Sequence, residues 1–306
     1  MIDKHRKNKQ PSNEPVKKTE TQFTVKEEGE LLVFLLKSIT NKSRNDVKVL
    51  LRDKQILVDG KAVTQFNHIL KPEQIVEVRW KKGSEEQKYR GLSIVFEDQY
   101  LIVIEKEQGL LSIATEKQKD NNAYRILSSH VKKQNLSNRI FVVHRLDRET
   151  SGLMMFAKSE KVQKLLQESW NATIELRTYL AVVEGYVEKK EDTIVSNLVE
   201  SKALIVYSSQ NPDVGQKAIT HYQVLKSNKN FSLLKVNLET GRKNQIRVHM
   251  KDIKHPVIGD AKYGATRNPI DRLGLHAWVL SFKHPVTREQ LHFETAIPGK
   301  FMKLFS

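Results

Sequence analysis

Short apolar runs of strand length fill the chain from residue 93 to residue 293, and helices do not alternate with them. The runs fall at 93–96, 101–104, 140–143, 153–157, 178–183, 218–225, 231–238, 275–282 and 290–293. They are rich in β-branched and aromatic residues and are bounded by polar or glycine-containing segments, so they read as strands. Helical periods are fewer. One helix is predicted over 123–132. Another is predicted over 160–169, where Ser159 can cap and Val162, Leu165 and Leu166 turn inward. The runs around Ser227-Asn228-Lys229-Asn230 form a hairpin. This pattern predicts an α+β fold with a mixed, mainly antiparallel sheet and flanking helices, rather than a doubly wound parallel sheet.

Composition narrows the partners. The 306 residues carry 52 Lys and Arg against 36 Asp and Glu, a formal net charge of +16. Such a balance favours a polyanion, with nucleic acid ahead of a small anionic substrate. Cysteine is absent, which excludes disulfides and thiolate metal sites. His144, His249, His255 and His276 lack metal-ligand spacing, and no Gly-rich phosphate fingerprint is present, so no metal and no cofactor are expected. No apolar run is long enough to span a membrane and the first residues lack the apolar centre of a secretion signal. The expectation is a cytoplasmic protein with no membrane partner.

Four segments are expected: a disordered basic and polar tail over 1–22, a small α/β module over 23–80, a linker over 81–90 and a large domain over 91–306. In the small module Ser43 can cap a helix with Asp46 three residues on, and Val47, Leu50 and Leu51 give it an inward face. Arg44, Lys48 and Arg52 line up on another face, which fits either a phosphate-tracking surface or an ordinary solvated one. Asp59-Gly60 fits a hairpin turn.

Three stretches of the large domain carry candidate chemistry. His144-Arg145-Leu146-Asp147-Arg148-Glu149-Thr150-Ser151-Gly152-Leu153 sets one carboxylate between two arginines, which favour its charged form and lower its pKa. A carboxylate so held suits a nucleophile or an electrostatic stabiliser, and equally a turn cap among surface charges. Thr240-Gly241-Arg242-Lys243-Asn244-Gln245-Ile246-Arg247-Val248-His249 can open a helix with Ile246, Met250 and Ile253 inward. Arg242, Lys243 and Arg247 would then gather near its N-terminus, either to meet a phosphate or buried carboxylate or to face solvent. The run containing Arg177-Thr178-Tyr179-Leu180-Ala181 holds one tyrosine, a packing residue or a platform for a nucleobase.

Together these stretches resemble the RluA family of RNA pseudouridine synthases, in particular its RluD-like subgroup. His144-Arg145-Leu146-Asp147 followed by Ser151-Gly152-Leu153 matches the family's central motif. The stretch from Thr240 to His249, the Tyr179 run, His255-Pro256-Val257-Ile258-Gly259-Asp260, Leu273-Gly274-Leu275-His276-Ala277 and His284-Pro285 match as well. Lys106-Glu107-Gln108-Gly109 departs from the family's Lys-Pro-x-Gly, and Asn244 stands where His is usual. The small module resembles the RNA-binding domain named after the fourth protein of the small ribosomal subunit, through Ser43-Arg44, Leu57-Val58-Asp59-Gly60-Lys61 and Leu70-Lys71-Pro72. Asp53-Lys54-Gln55 departs from that pattern.

The resemblance implies a cofactor-independent isomerase that converts uridine to pseudouridine in RNA. The added module and the high charge point to a large structured RNA, ribosomal RNA ahead of transfer RNA, and a monomer is expected. It implies that Asp147 is the nucleophile or charge stabiliser, that Arg247 pairs with it and that Tyr179 stacks on the base. Arg145 would fill the space left by a flipped uridine. His144, Arg148, Arg242 and Lys243, with Arg44, Lys48 and Arg52 of the small module, would contact RNA.

Overall fold

The computed structural model describes residues 20–39, 42–52, 55–79, 88–116, 118, 120–209, 211 and 213–306. Most of the expected tail and linker, together with Asp53 and Lys54, lies outside the described residues. Glu20 to Gln22, assigned to the tail from sequence, belong to a strand instead, because Glu20–Thr24 pairs with Ile75–Arg79. The chain divides into two compact units, Met1–Glu85 and Glu86–Ser306.

The smaller unit runs β1 (Glu20–Thr24), β2 (Gly29–Glu30), α1 (Leu31–Ser38), α2 (Arg44–Arg52), β3 (Ile56–Val58), β4 (Lys61–Ala62), β5 (Ile69–Leu70) and β6 (Ile75–Arg79). Its main sheet has the order β1-β6-β3-β4. The β3–β4 hairpin turns on Asp59 and Gly60, both at positive φ (49° and 76°), the conformation a two-residue turn of this hand requires. At the start of α2, Ser43 Oγ accepts from the Asp46 N–H while Asp46 accepts from the Ser43 N–H, a reciprocal cap. Val47, Leu50 and Leu51 then pack against α1 and the sheet, and Arg44, Lys48 and Arg52 stay exposed.

The larger unit begins with β7 (Lys88–Tyr89), β8 (Leu92–Glu97), β9 (Leu101–Lys106), α3 (Ala123–Gln134), β10 (Phe141–Val142), β11 (Ser151–Ala157), α4 (Glu160–Glu168) and α5 (Trp170–Thr173). It continues with β12 (Ile174–Glu184), β13 (Glu191–Glu200), β14 (Val206–Ser209), β15 (Gln216–Ser227), β16 (Phe231–Leu238), α6 (Gln245–Asp252), β17 (Leu275–Lys283), β18 (Gln290–Glu294) and α7 (Gly299–Met302). One twelve-stranded sheet carries the unit, with the order β14-β13-β15-β16-β12-β17-β11-β9-β8-β7; β10 pairs with β11 and β18 with β17. Its pairings are antiparallel except β11 with β17. The fold is therefore mixed α+β on a mainly antiparallel sheet.

Alternation along the central strands loads both faces. Met154 and Phe156 of β11 pack with Leu127 and Val131 of α3, while Leu153, Met155 and Ala157 pack with Val162 and Leu166 of α4. Leu165 departs from expectation: it is exposed, because the sheet takes only one narrow stripe of α4. Truncating a fully buried ring such as Phe156 to alanine removes about 3–5 kcal/mol by cavity formation. β13 and β14 were not apparent in the sequence. Their residues alternate with polar ones, and of β13 only Leu198 is fully buried.

Candidate active site

The sheet brings the three chemical stretches together at its middle. Ser151 and Gly152, which begin β11, run parallel to His276 and Ala277 of β17. Gly152 sits at φ 110°, where an added Cβ would lie 2.1 Å from the Ala277 carbonyl oxygen, so only glycine lets these strands approach. The loop from His144 to Thr150 therefore ends beside β17. β12 lies on the other side of β17, and the register shifts between Thr178 (opposite Val279) and Tyr179 (opposite Ala277), leaving Trp278 as the bulged residue. A bulge re-aims the side chains next to it. Tyr179 consequently bridges the apolar cluster under α3 and the cluster under α6.

α6 supplies the third side. Ile246 and Met250 are buried as expected, and Ile253 packs on them partly buried. The polar face of the helix is equally anchored. Gln245 donates to the Ile219 carbonyl and the Thr220 hydroxyl and accepts from the Arg242 N–H. His249 joins Thr220 and Ser196 at 2.8 and 3.0 Å. Burial holds its imidazole neutral, with a pKa down to about 4.

Between these elements lies a cleft of about 410 Å³ whose lining includes Arg145, Asp147, Arg177, Tyr179, Arg242 and Arg247. Asp147 accepts from Arg247 Nη1 at 3.1 Å. Arg247 is fixed in turn by Asp260, to which Nε and Nη2 donate at 2.6 and 2.7 Å, and its guanidinium lies 4.9 Å from the Tyr263 ring centre. This bidentate fork is the strong geometry for arginine and carboxylate. Burial alone would weaken the Arg247 charge, but Asp260 and then Asp147 more than offset it and raise its pKa. Asn244 takes the left-handed conformation just before α6 (φ 55°) and accepts from Arg247 at 3.2 Å.

The electrostatic partner of Asp147 is thus Arg247 from another element, not the neighbouring Arg148. Arg148 donates to the Gly109 carbonyl at 3.1 Å and stands exposed beside Glu149. Arg145 is exposed at the cleft and has no hydrogen-bond or ion-pair partner among the described residues. His144 lines the cleft, but its Nε2 accepts from the Met155 N–H, and burial and then Arg177 hold its pKa down to about 3. It offers no positive charge to a phosphate. Arg242 donates to the Lys217 carbonyl, and Lys243 pairs with Glu200. The Tyr179 hydroxyl has no hydrogen-bond partner among the described residues; burial chiefly raises its pKa, while Arg177 opposes the shift. Arg44, Lys48 and Arg52 belong to the smaller unit and are described with it alone.

Two further groups shape the Asp147 loop. Lys106 is fully buried, and its Nζ donates to the carbonyls of Glu107, Leu110 and Arg148 at 2.9, 2.8 and 3.1 Å. Burial pushes its pKa down to about 8 against the opposing pull of Glu149 and Asp147. On the other flank Ser151 Oγ accepts from Arg272 at 2.6 Å and meets His276 Nδ1 at 2.7 Å. Asp260, Lys106 and Arg177 were given no role from the sequence. For Asp260 the available signal was a charged residue inside a matched motif, for Lys106 the lysine that opens a stretch only partly like the family's, and for Arg177 a basic residue two positions before Tyr179. Among the described residues, no group of three or more His, Asp or Glu side chains is placed to hold a metal ion, and no helix is long and apolar enough to cross a membrane.

The RNA pseudouridylate synthase family profile matches residues 100–252, which include the Asp147 loop, Tyr179 and Arg247. The uncharacterized RNA pseudouridine synthase YjbO of Bacillus subtilis is 35% identical over 213 residues, 70% of this chain and 75% of that one. Ribosomal large subunit pseudouridine synthase D of Neisseria meningitidis serogroup A is 32% identical over 298 residues, 91% of this chain and 78% of that one. Among solved structures, human RNA pseudouridylate synthase domain containing 4 shares the fold, with a TM-score of 0.57 at 24% identity over 70% of this chain and 90% of that chain.

Proposed function

This chain belongs to the RNA pseudouridylate synthase family, and from that premise we propose that Asp147 is the residue on which its isomerisation of uridine to pseudouridine turns. The reaction breaks the C1′–N1 bond, turns the uracil and joins C1′ to C5. The C5 proton leaves and N1 gains one, so no group or electron is added and the balance asks for no cofactor. The step needs a carboxylate that stays ionised beside the sugar, as nucleophile at C1′ or as the base that takes the C2′ proton. The observation that carries this reading is the Arg247 fork. Held by Asp260 and directed at Asp147, it presents the carboxylate to the cleft before substrate arrives, with no reorganisation during the reaction.

The neighbouring residues fit the same step. Tyr179 offers a ring for the uracil and a hydroxyl free to meet the C5 proton. Arg145, two residues from Asp147, can fill the gap a flipped uridine leaves; extrusion costs a few kcal/mol, less in a loop. Arg148, Arg242 and Lys243 add positive charge for phosphates at the surrounding surface, and His144 contributes shape.

The RNA we propose is ribosomal RNA of the large subunit, ahead of transfer RNA. Relatives named ribosomal large subunit pseudouridine synthase D support it, since they align with this chain over about nine-tenths of its length. Such a protein would work in the cytoplasm as a monomer of the RluD-like subgroup. The smaller unit, with Arg44, Lys48 and Arg52 on one exposed face of α2, is proposed as an RNA-binding module of the small-subunit type named above.

Release of tritium from RNA labelled at uridine C5 follows the reaction directly. Asp147→Asn is expected to abolish release while keeping RNA affinity within about threefold, well under one lost charged hydrogen bond. Release by the variant at the wild-type rate would remove Asp147 from the chemistry.

A further inference from the structure

Arg177 is a half-buried cleft cation whose charge, among the described residues, no carboxylate answers. It sits on β12 two positions before Tyr179 and lines the same cleft as Asp147. No carboxylate pairs with it among the described residues. Its guanidinium has only two long contacts, from Nη2 to the carbonyls of Leu238 and Glu239 at 3.4 and 3.5 Å, and lies 5.4 Å from the Trp170 ring centre. These contacts are too long to replace water around a charge. Arg247, in the same cleft, has two carboxylates, and the half-buried Arg272 donates at 2.6 Å to Ser151. Burial lowers the Arg177 pKa, so the protein alone makes its charge unfavourable there. A cation kept in a cleft at such a cost awaits an anion.

Space around Arg177 is also built. An added Cβ on Gly241 would lie 2.5 Å from Arg177 Nη1. The guanidinium end of Arg177 therefore sits in the room that the missing side chain leaves, and a side chain there would displace it. Gly241 lies four residues before α6, which carries Arg247, and Arg177 and Arg247 line the same cleft.

We propose that Arg177, seated in the room left by Gly241, forms the subsite for a phosphate of the nucleotide whose uracil rests on Tyr179. The proposal rests on the nucleotide-isomerising reading of the cleft and specifies how it grips its substrate. Arg177 anchors the backbone beside the target, so the base can turn on Tyr179 while the sugar stays over Asp147. It binds substrate and is not assigned a step in bond making.

The test measures the full chain binding uridine, uridine 5′-monophosphate and uridine 3′-monophosphate by NMR titration to 10 mM ligand. The wild type is expected to bind at least one monophosphate about tenfold or more tighter than uridine, as one charge-assisted contact implies. Arg177→Gln should abolish that preference and Arg177→Lys should keep part of it. Gly241→Ala, which retains the charge but takes its place, should behave as Arg177→Gln while melting at the wild-type temperature. Equal binding of nucleoside and nucleotides by the wild type overturns the subsite, as does a preference that survives Arg177→Gln or Gly241→Ala. If Arg177→Gln fails to fold, Gly241→Ala decides. Asp147→Asn should keep the preference and lose tritium release. A wild type that prefers the monophosphate but releases no tritium from any RNA would instead strike the isomerase reading and leave the subsite standing.

Discussion

At the scale of single residues, charge placement decides the site. Sequence order puts Asp147 between Arg145 and Arg148, but its carboxylate pairs with Arg247, the partner that the family resemblance implied. Arg148 enters the turn closed by the Thr150 N–H on the Asp147 carbonyl and reaches Gly109, while Arg247 arrives from 100 residues away. Asp260 was unreadable for the same reason: nothing local says that a carboxylate after Gly259 reaches the Arg247 fork. Asp260→Asn keeps the shape and one acceptor but removes the charge that fixes the fork. Its expected effect is a fall of about 10- to 100-fold in the single-turnover rate with a smaller change in RNA affinity, the size typical of a group that orients a catalytic partner. Equal losses in rate and affinity would mean that Asp260 supports binding instead.

At the scale of elements, β11 was the most legible strand, an unbroken apolar run with every residue buried, while β15 and β18, each with exposed residues, were read as well. β13 escaped because its four apolar residues are scattered among charged and polar ones. The polar side of α6 was legible only as a motif; the structure shows Gln245 and His249 fastening the helix to β15. His276 does the same for β17, joining Ser151 and Thr295. Burial holds both His249 and His276 down to about 4, so the folded chain refuses protons that the unfolded chain accepts below about 6.5. Their effect on stability is nil above that pH, grows as pH falls from 6.5 towards 4, and levels off below. Each histidine is expected to cost about 3 kcal/mol at the lower end. Urea unfolding at pH 7 and pH 5 checks this: His249→Asn should show a shallower loss between the two than the wild type, and a parallel loss would contradict it.

At the scale of the whole molecule, the sequence separated a small basic unit from a large one, and the chain divides at Glu85. What each unit does with RNA should separate too. Replacing Arg44 and Lys48 by Gln removes two exposed charges from the α2 face without touching the large unit's core. RNA affinity should weaken, and the slope of log affinity against log salt should fall by about 1.4 if both meet phosphates of single-stranded RNA. The single-turnover rate at saturating RNA should stay at the wild-type value. A slower rate there would tie the small unit to the chemistry.

The buried ammonium of Lys106 has a use beyond holding a loop. With no exposed surface and three carbonyls around it, it is shielded from amine-reactive reagents, and an opening that exposes it also removes the burial that lowers its pKa. Any acylation at Lys106 must therefore follow an opening of the segment that carries Asp147. Brief labelling read by peptide mass would turn this one side chain into a clock for how often the Asp147 loop lets go of its sheet.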